Sequence, residues 1–199
     1  MARLAIFIDG GYLDKLCELE FGRIRIGFDK LPLALTQVVA GGTSEPLDLV
    51  RTLYYHCPPF QSNPPTEDES RRTANFRRFV DALKNIDNFD FREGRLALRG
   101  FDKDSGEPIF QQKRLDLLLG LDFALLSAKQ GVTHIGLVAG DSDLVPAVRV
   151  AKLEGVVTWL FHGPGTSATR GNPTYSRELW QEVDRRFELD AGFIDSVKR

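Results

Sequence analysis

The sequence predicts an α/β domain in which a mainly parallel central sheet carries helices on both faces. Three observations lead there. Short apolar runs at 4–8, 49–56, 134–139 and 156–161 alternate with longer segments of helical periodicity, and such alternation builds parallel sheets through helical crossovers. Two of the runs stop at glycine–acid turns, Asp9-Gly10-Gly11 and Gly140-Asp141-Ser142-Asp143, as a buried strand does where it leaves a sheet. A length of 199 residues suits one core, since cores usually divide only beyond roughly 250 residues. One domain over residues 1–199, with one site, is therefore expected.

Taken in order, the strand at 4–8 passes into a helix at about 12–20. The alternation Arg23-Ile24-Arg25-Ile26 reads as a small strand or a lid. A helix at 30–40 tolerates Pro32 in its first turn and ends at Gly41-Gly42. The strand at 49–56 leads into 58–65, where four prolines favour an irregular loop. From 67 to 85, Phe76, Phe79, Val80 and Leu83 recur at helical spacing among charged residues, which makes an amphipathic helix. Strand character over 89–98 breaks at Gly94, Lys103-Asp104-Ser105-Gly106 is a turn, and regular structure resumes near Ile109. A helix over 115–130 ends at Gly131. The strand at 134–139 feeds a helix opened by Pro146, and the strand at 156–161 follows. A glycine-rich exit over 162–172 is expected to be mobile, and a last helix over 176–187 closes the domain.

Composition removes several classes of function. Hydrophobic residues make up 42% and charged residues 27% of the chain, enough apolar material for a core and too much for wholesale disorder. No apolar run nears the roughly 20 residues that span a bilayer, and the N-terminus runs straight into a strand with no signal-peptide pattern. A cytoplasmic protein without a membrane role is expected. Cys17 and Cys57 lack metal-knuckle spacing and read as buried or incidental thiols. His56, His134 and His162 are too scattered to suggest a triad, and His134 reads as a packing residue. The formal net charge of −2 gives no global attraction to nucleic acid, so any phosphate-binding surface must be local.

The acids carry the strongest chemical signal. Ligands of open α/β sheets bind outside the carboxyl ends of the strands, where Asp9, Asp141 and Asp143 emerge. Carboxylates gathered without basic partners repel one another, and Mg²⁺ or Mn²⁺ relieves that cost. Asp116 and Asp122 lie in the helix over 115–130, set among leucines. On an ideal helix they stand about 120° apart in projection and about 9 Å apart along the axis, an arrangement that lets both border one pocket. Each acid also has a structural role open to it. Asp9 suits a turn, Asp116 a helix N-terminus, Asp141 and Asp143 a helix cap with Asp143 the better placed, and Asp122 an exposed helix face.

In their order and spacing, Ile6-Phe7-Ile8-Asp9-Gly10, Lys113-Arg114-Leu115-Asp116 with Asp122 following, and Val138-Ala139-Gly140-Asp141-Ser142-Asp143-Leu144 resemble the NYN domain. That family is a branch of the PIN-like nucleases that includes bacterial LabA-type proteins. The resemblance extends over nearly the whole chain. It implies a Rossmann-like PIN/NYN fold with an acidic pocket that binds Mg²⁺ or Mn²⁺ and hydrolyses RNA phosphodiesters through a metal-activated water. By position it makes Asp9, Asp116, Asp122 and Asp141 the catalytic acids, with Asp143 joining Asp9, Asp116 and Asp141 around the metal. Many relatives place an Asn a few residues after the first Asp, where this sequence has Gly11-Tyr12-Leu13. PIN-like domains often pair, so a homodimer is also implied.

RNA as partner requires cations. Between Arg71 and Arg114 the chain has eleven Lys and Arg against seven acids, and Arg71, Arg72 and Lys113 are the leading candidates for phosphate contact. The loop over 162–170 is a further candidate contact. Two rival readings stand beside the ribonuclease: a catalytically silent RNA-binding or scaffolding module of the same fold, and a phosphatase of the haloacid dehalogenase type. The phosphatase needs a second Asp two residues after the first, where this chain has Gly11.

Overall fold

The computed structural model describes residues 1–101, 108–113, 115–169 and 171–199, of which 96–99, 101 and 108–113 are described by their backbone alone. The expected turn Lys103-Asp104-Ser105-Gly106, together with Arg114 and Arg170, lies outside the described residues. Six strands form one all-parallel sheet in the order β3-β2-β1-β6-β7-β8. They are β1 (Ala2–Asp9), β2 (Leu47–His56), β3 (Phe89–Glu93), β6 (His134–Val138), β7 (Val157–His162) and β8 (Arg185–Glu188). The remaining two strands, β4 (Arg95–Phe101) and β5 (Pro108–Lys113), pair antiparallel with each other in a separate two-stranded sheet. Gly94, where strand character breaks in the sequence, separates β3 from β4.

Alternation along β1 sets up two cores. Ala5 and Phe7 face one side, where they meet Leu53, Tyr55 and Leu137 of neighbouring strands. Against them pack α4 (Leu115–Ala128), through Leu119 and Phe123, and α5 (Val145–Leu153), through Val148 and Ala151. Leu4, Ile6 and Ile8 face the other side. There α1 (Gly10–Glu20) buries Leu13, Leu16 and Cys17, and α2 (Leu31–Gly41) buries Leu31, Leu35 and Val39. Leu13, Leu16 and Cys17 follow the three-four spacing of an amphipathic face. α3 (Glu67–Leu83) begins with a reciprocal capping box in which Thr66 accepts from the Glu69 backbone N–H while the Glu69 carboxylate accepts from that of Thr66. Both cysteines are buried and unbridged. No helix among the described residues is long and apolar enough to cross a membrane.

The C-terminal part departs from expectation. In place of one helix over 176–187 the chain makes α6 (Arg177–Glu182), the sixth parallel strand β8, and α7 (Ala191–Ser196). The break has a local cause. Asp184 turns its carboxylate to the backbone N–H and hydroxyl of Thr158 at 2.8 and 2.7 Å, and Thr158 returns a contact to the Asp184 N–H at 3.1 Å. That clasp lays 185–188 beside β7, with Phe161 opposite Phe187. The alternation expected at 23–26 yields only an isolated bridge between Ile26 and Lys198.

Phe7, fully buried and within 5.0 Å of Phe123 centroid to centroid, tests how far the central strand carries the fold. Phe7→Ala should cost about 3–5 kcal/mol, the usual range for removing a buried ring, read as a lowered midpoint in urea unfolding followed by circular dichroism.

Candidate functional site

The sheet reverses direction between β1 and β6: β1 is followed outward by β2 and β3, and β6 by β7 and β8. Helices leaving these two central strands diverge, α1 onto one core and α5 onto the other. The gap between them at the carboxyl edge is the switch point at which open α/β sheets bind ligands. A cleft of about 580 Å³ occupies it, lined by Asp9, Asp116 and Asp141 together with Lys15 and the hydroxyls of Ser142, Thr174 and Ser176.

Each of the three acids sits at the start of a helical segment. Asp9 caps α1, accepting from the Tyr12 N–H at 3.1 Å. Asp116 lies in the first turn of α4. Asp141 caps the single 3₁₀ turn that precedes α5, accepting from the Asp143 N–H at 3.0 Å. The helix cap is therefore Asp141, where the spacing had favoured Asp143. Backbone N–H groups at helix N-termini offset part of the repulsion among these acids. The offset is incomplete. Burial, opposed by the Tyr12 N–H and then reinforced by the charge of Asp116, raises the Asp9 pKa above its usual value. Burial and the charges of Asp141 and Asp143 raise that of Asp116. Asp143 thus acts on Asp116 electrostatically, although it is not among the residues lining the cleft.

Asp122 goes elsewhere. It turns toward β2 and β3, where it accepts from the Tyr55 hydroxyl at 2.9 Å and the Arg92 Nε at 3.2 Å. Burial and the adjacent Asp122 charge push the Tyr55 hydroxyl pKa far up. The angular separation from Asp116 around α4 explains the parting, since one acid faces the cleft and the other a neighbouring strand. Two of the cations named from sequence are likewise not on the cleft wall. Arg71 and Arg72 lie on exposed positions of α3, both paired with Asp68, Arg72 at 3.0 Å. Lys113 ends β5, and its side chain is outside the described ones.

Sequence reasoning missed Lys15, Thr174 and Ser176, whereas Ser167 lies in the loop over 162–170 that it named as a candidate contact. Lys15 lies one turn beyond Gly11 on the cleft face of α1 and forms no ion pair with a described residue. The helical period after Asp9 was the signal that could have placed it. Ser167 comes from the glycine-rich exit after β7, which is moored to α1, and Thr174 and Ser176 from the residues that follow it. The Tyr12 hydroxyl accepts from the Gly163 N–H at 2.9 Å, and Glu20 accepts from the Ala168 N–H at 2.8 Å and from the Ser167 hydroxyl. Gly140 permits the approach, since a Cβ there would lie 2.5 Å from the Tyr12 ring and 2.9 Å from the Thr174 carbonyl oxygen.

Among the described residues, no three His, Cys, Asp or Glu side chains are grouped closely enough to form a complete metal cage. The donor chemistry of the cleft still suits a hard cation, because Mg²⁺ takes one or two carboxylates and completes its shell with water and substrate oxygens. Compared with known proteins, the chain matches no family model, and no curated protein matches it.

Two substitutions separate these roles. Asp9→Asn keeps an oxygen that caps α1 but removes the charge. A carboxyl whose folded pKa is raised destabilises the fold above that pKa and ceases to do so below the unfolded value near 3.8. Asp9→Asn should therefore raise the Tm near pH 7 by about 2–4 °C, as about 1 kcal/mol does in a chain of this length. The difference should fade as pH falls through the raised Asp9 pKa and be gone below about 3.8, which melts across a pH series would show. Asp122→Ala should lower stability by about 1–3 kcal/mol, because it strips the acceptor from the buried Tyr55 hydroxyl, as measured by urea unfolding.

Proposed function

We propose that the protein is a metal-dependent ribonuclease of the NYN type, with its centre in the cleft between β1 and β6. The observation that carries the reading is the convergence of Asp9, Asp116 and Asp141, from three separate elements, on one cleft at the switch point, where the pKa values of Asp9 and Asp116 are raised. Keeping acids together at a cost to stability is expected where a cation or a substrate uses them. These three are among the acids that the resemblance to the NYN domain picks out, beside Asp122 and Asp143.

In this reading one or two of Asp9, Asp116 and Asp141 would hold Mg²⁺ or Mn²⁺ at a time, with water and substrate oxygens completing the shell and Asp143 biasing the charge of Asp116 from just outside. The bound cation would lower the pKa of a water and stabilise negative charge on the phosphate. The chain's own part is positional. The caps on Asp9 and Asp141 each fix one carboxylate oxygen, which leaves the other for the centre. Lys15, in no ion pair with a described residue, balances a substrate phosphate, and Ser142, Thr174 and Ser176 offer hydrogen bonds to phosphate or ribose oxygens. These hydroxyls supply the polar contacts that many relatives draw from an Asn, at a place where this chain has Tyr12 committed to Gly163. Asp122 is a support for Tyr55 and Arg92 in this scheme, not a ligand.

The silent RNA-binding module is the second reading, favoured by the capping bonds that already occupy Asp9 and Asp141. Incubation of labelled RNA with purified protein in Mn²⁺ or EDTA separates the two. Cleavage in Mn²⁺ that EDTA abolishes, and that falls about a hundredfold or more in Asp141→Asn, is expected, since a metal centre contributes several kcal/mol to such reactions. Asp122→Asn should cleave within about threefold of wild type. Cleavage that survives EDTA, or that ignores Asp141→Asn, would overturn the mechanism. A generic phosphate ester, hydrolysed in parallel in place of RNA, would move the assignment to a phosphatase.

A further inference from the structure

A second cavity, of about 360 Å³, opens on the opposite face of α1 from the carboxylates, lined along that helix by Asp14, Cys17 and Glu18. Its floor is aromatic. Phe28, Tyr54, Phe76 and Phe79 line it, with Phe28 and Tyr54 ring centroids 4.8 Å apart, Phe28 and Phe79 5.3 Å, and Phe76 and Phe79 6.5 Å. The phenylalanines are half-buried, so each keeps surface for an incoming ring.

Two polar features make this more than an apolar dent. Tyr54 is 1% exposed, lines the cavity, and its hydroxyl hydrogen-bonds to no described residue. A hydroxyl on the cavity wall can both donate to and accept from an incoming polar group. Gly10 fixes its position: a Cβ there would stand 2.7 Å from that oxygen, so the hydroxyl abuts the first turn of α1, next in sequence to Asp9. The second feature is charge. Asp14 is paired with His56 at 2.9 Å and Glu18 with Arg23 at 2.7 Å. Burial alone would lower the His56 pKa, but its bond to Asp14 and the Asp14 charge raise it overall. What remains at the rim is Arg25 and Arg199, neither in an ion pair with a described residue. The cavity thus offers stacking surface, a hydroxyl on its wall and, at its rim, the Arg25 guanidinium, which is in no ion pair with a described residue.

We propose that this cavity binds one nucleotide of a single-stranded RNA, next along the strand to the phosphate held in the acidic cleft. The identity of the ligand rests on the ribonuclease reading. The base packs among Phe28, Phe76 and Phe79 with its polar edge at the Tyr54 hydroxyl, and the phosphate faces Arg25. A base can enter such a cavity only when unpaired and splayed from its neighbours, so the site selects single strands over duplexes. Because the two sites flank the first turn of α1, the strand crosses that turn.

The test measures binding without catalysis. Fluorescence anisotropy in EDTA compares a labelled single-stranded RNA octamer with its blunt duplex, for wild type, Arg25→Gln, Tyr54→Phe and Phe76→Leu. Wild type should prefer the single strand by tenfold or more. Phe76→Leu should weaken single-strand binding about tenfold, Tyr54→Phe about threefold, and Arg25→Gln should flatten the dependence on log salt by about 0.7. Arg25 and its replacement are exposed, so that variant remains informative even if Phe76→Leu melts early. Equal affinity for duplex and single strand, or unchanged binding in all three variants, would overturn the proposal. Because hydrolysis plays no part in the readout, loss of binding without any cleavage activity refutes only the ribonuclease. Cleavage with unaltered binding in the variants refutes only the nucleotide site.

Discussion

Parallel pairing of β1 with β6 at the point where strand order reverses is the constraint on which the molecule turns. Ile8 stands opposite Val138 in that pairing, so the chains leaving the two strands begin side by side and then part, one helix to each face. Divergence leaves a gap that no side chain of the sheet fills. The residues at its margin are held by a rigid, fully buried pair of strands, with Leu4, Ile6, Phe7 and Ile8 of β1 and Ile135 and Val138 of β6 at 0% exposure. Precision in a site of this sort comes from the scaffold beneath it, and here that scaffold is a buried strand pair.

Electrostatics then takes its form from the same geometry. Acids at the ends of adjacent parallel strands are brought together whether or not a counter-charge is present, and helix N-termini point at them for the same topological reason. The two effects oppose each other. Raised proton affinity at Asp9 and Asp116 shows that repulsion and burial outweigh the caps. His56, whose own pKa is raised by its contact with Asp14, lies close enough to lower the Asp9 value in part. The acidic cleft and the aromatic cavity therefore share a background field, even though they open on opposite faces of α1.

Much of this was legible in the sequence, and the limits of legibility are physical. Asp9 and Asp141 could be placed because each closes an apolar run too short for a helix, and strand ends in α/β sheets define the ligand edge. The helices around Phe76 and around Leu119 announced themselves by period. Asp122 could not be resolved from Asp116, because helical geometry gives their separation around α4 but not which side the sheet will occupy. β8 was read as helix because a four-residue strand held by one clasp between Asp184 and Thr158 has no periodic signature of its own. Thr174 and Ser176 on the cleft wall were hidden for a related reason. They follow a segment whose path is set by contacts with α1, more than 140 residues earlier in the chain.

Those contacts lie toward the two ends of one helix. Tyr12 fastens the exit loop at Gly163, and Glu20 fastens it at Ser167 and Ala168, eight residues further along α1. At 1.5 Å per residue the two fastenings are about 12 Å apart along the axis, so α1 acts as a ruler that sets the width of the cleft. A ruler of this kind tolerates changes of side chain but not of length. Inserting a single residue between Tyr12 and Glu20 would swing one fastening about 100° away from the loop, releasing a wall of the cleft while both cores stayed intact. Natural variation in this protein should accordingly spare the spacing from Tyr12 to Glu20 more strictly than the identities of the exposed residues between them.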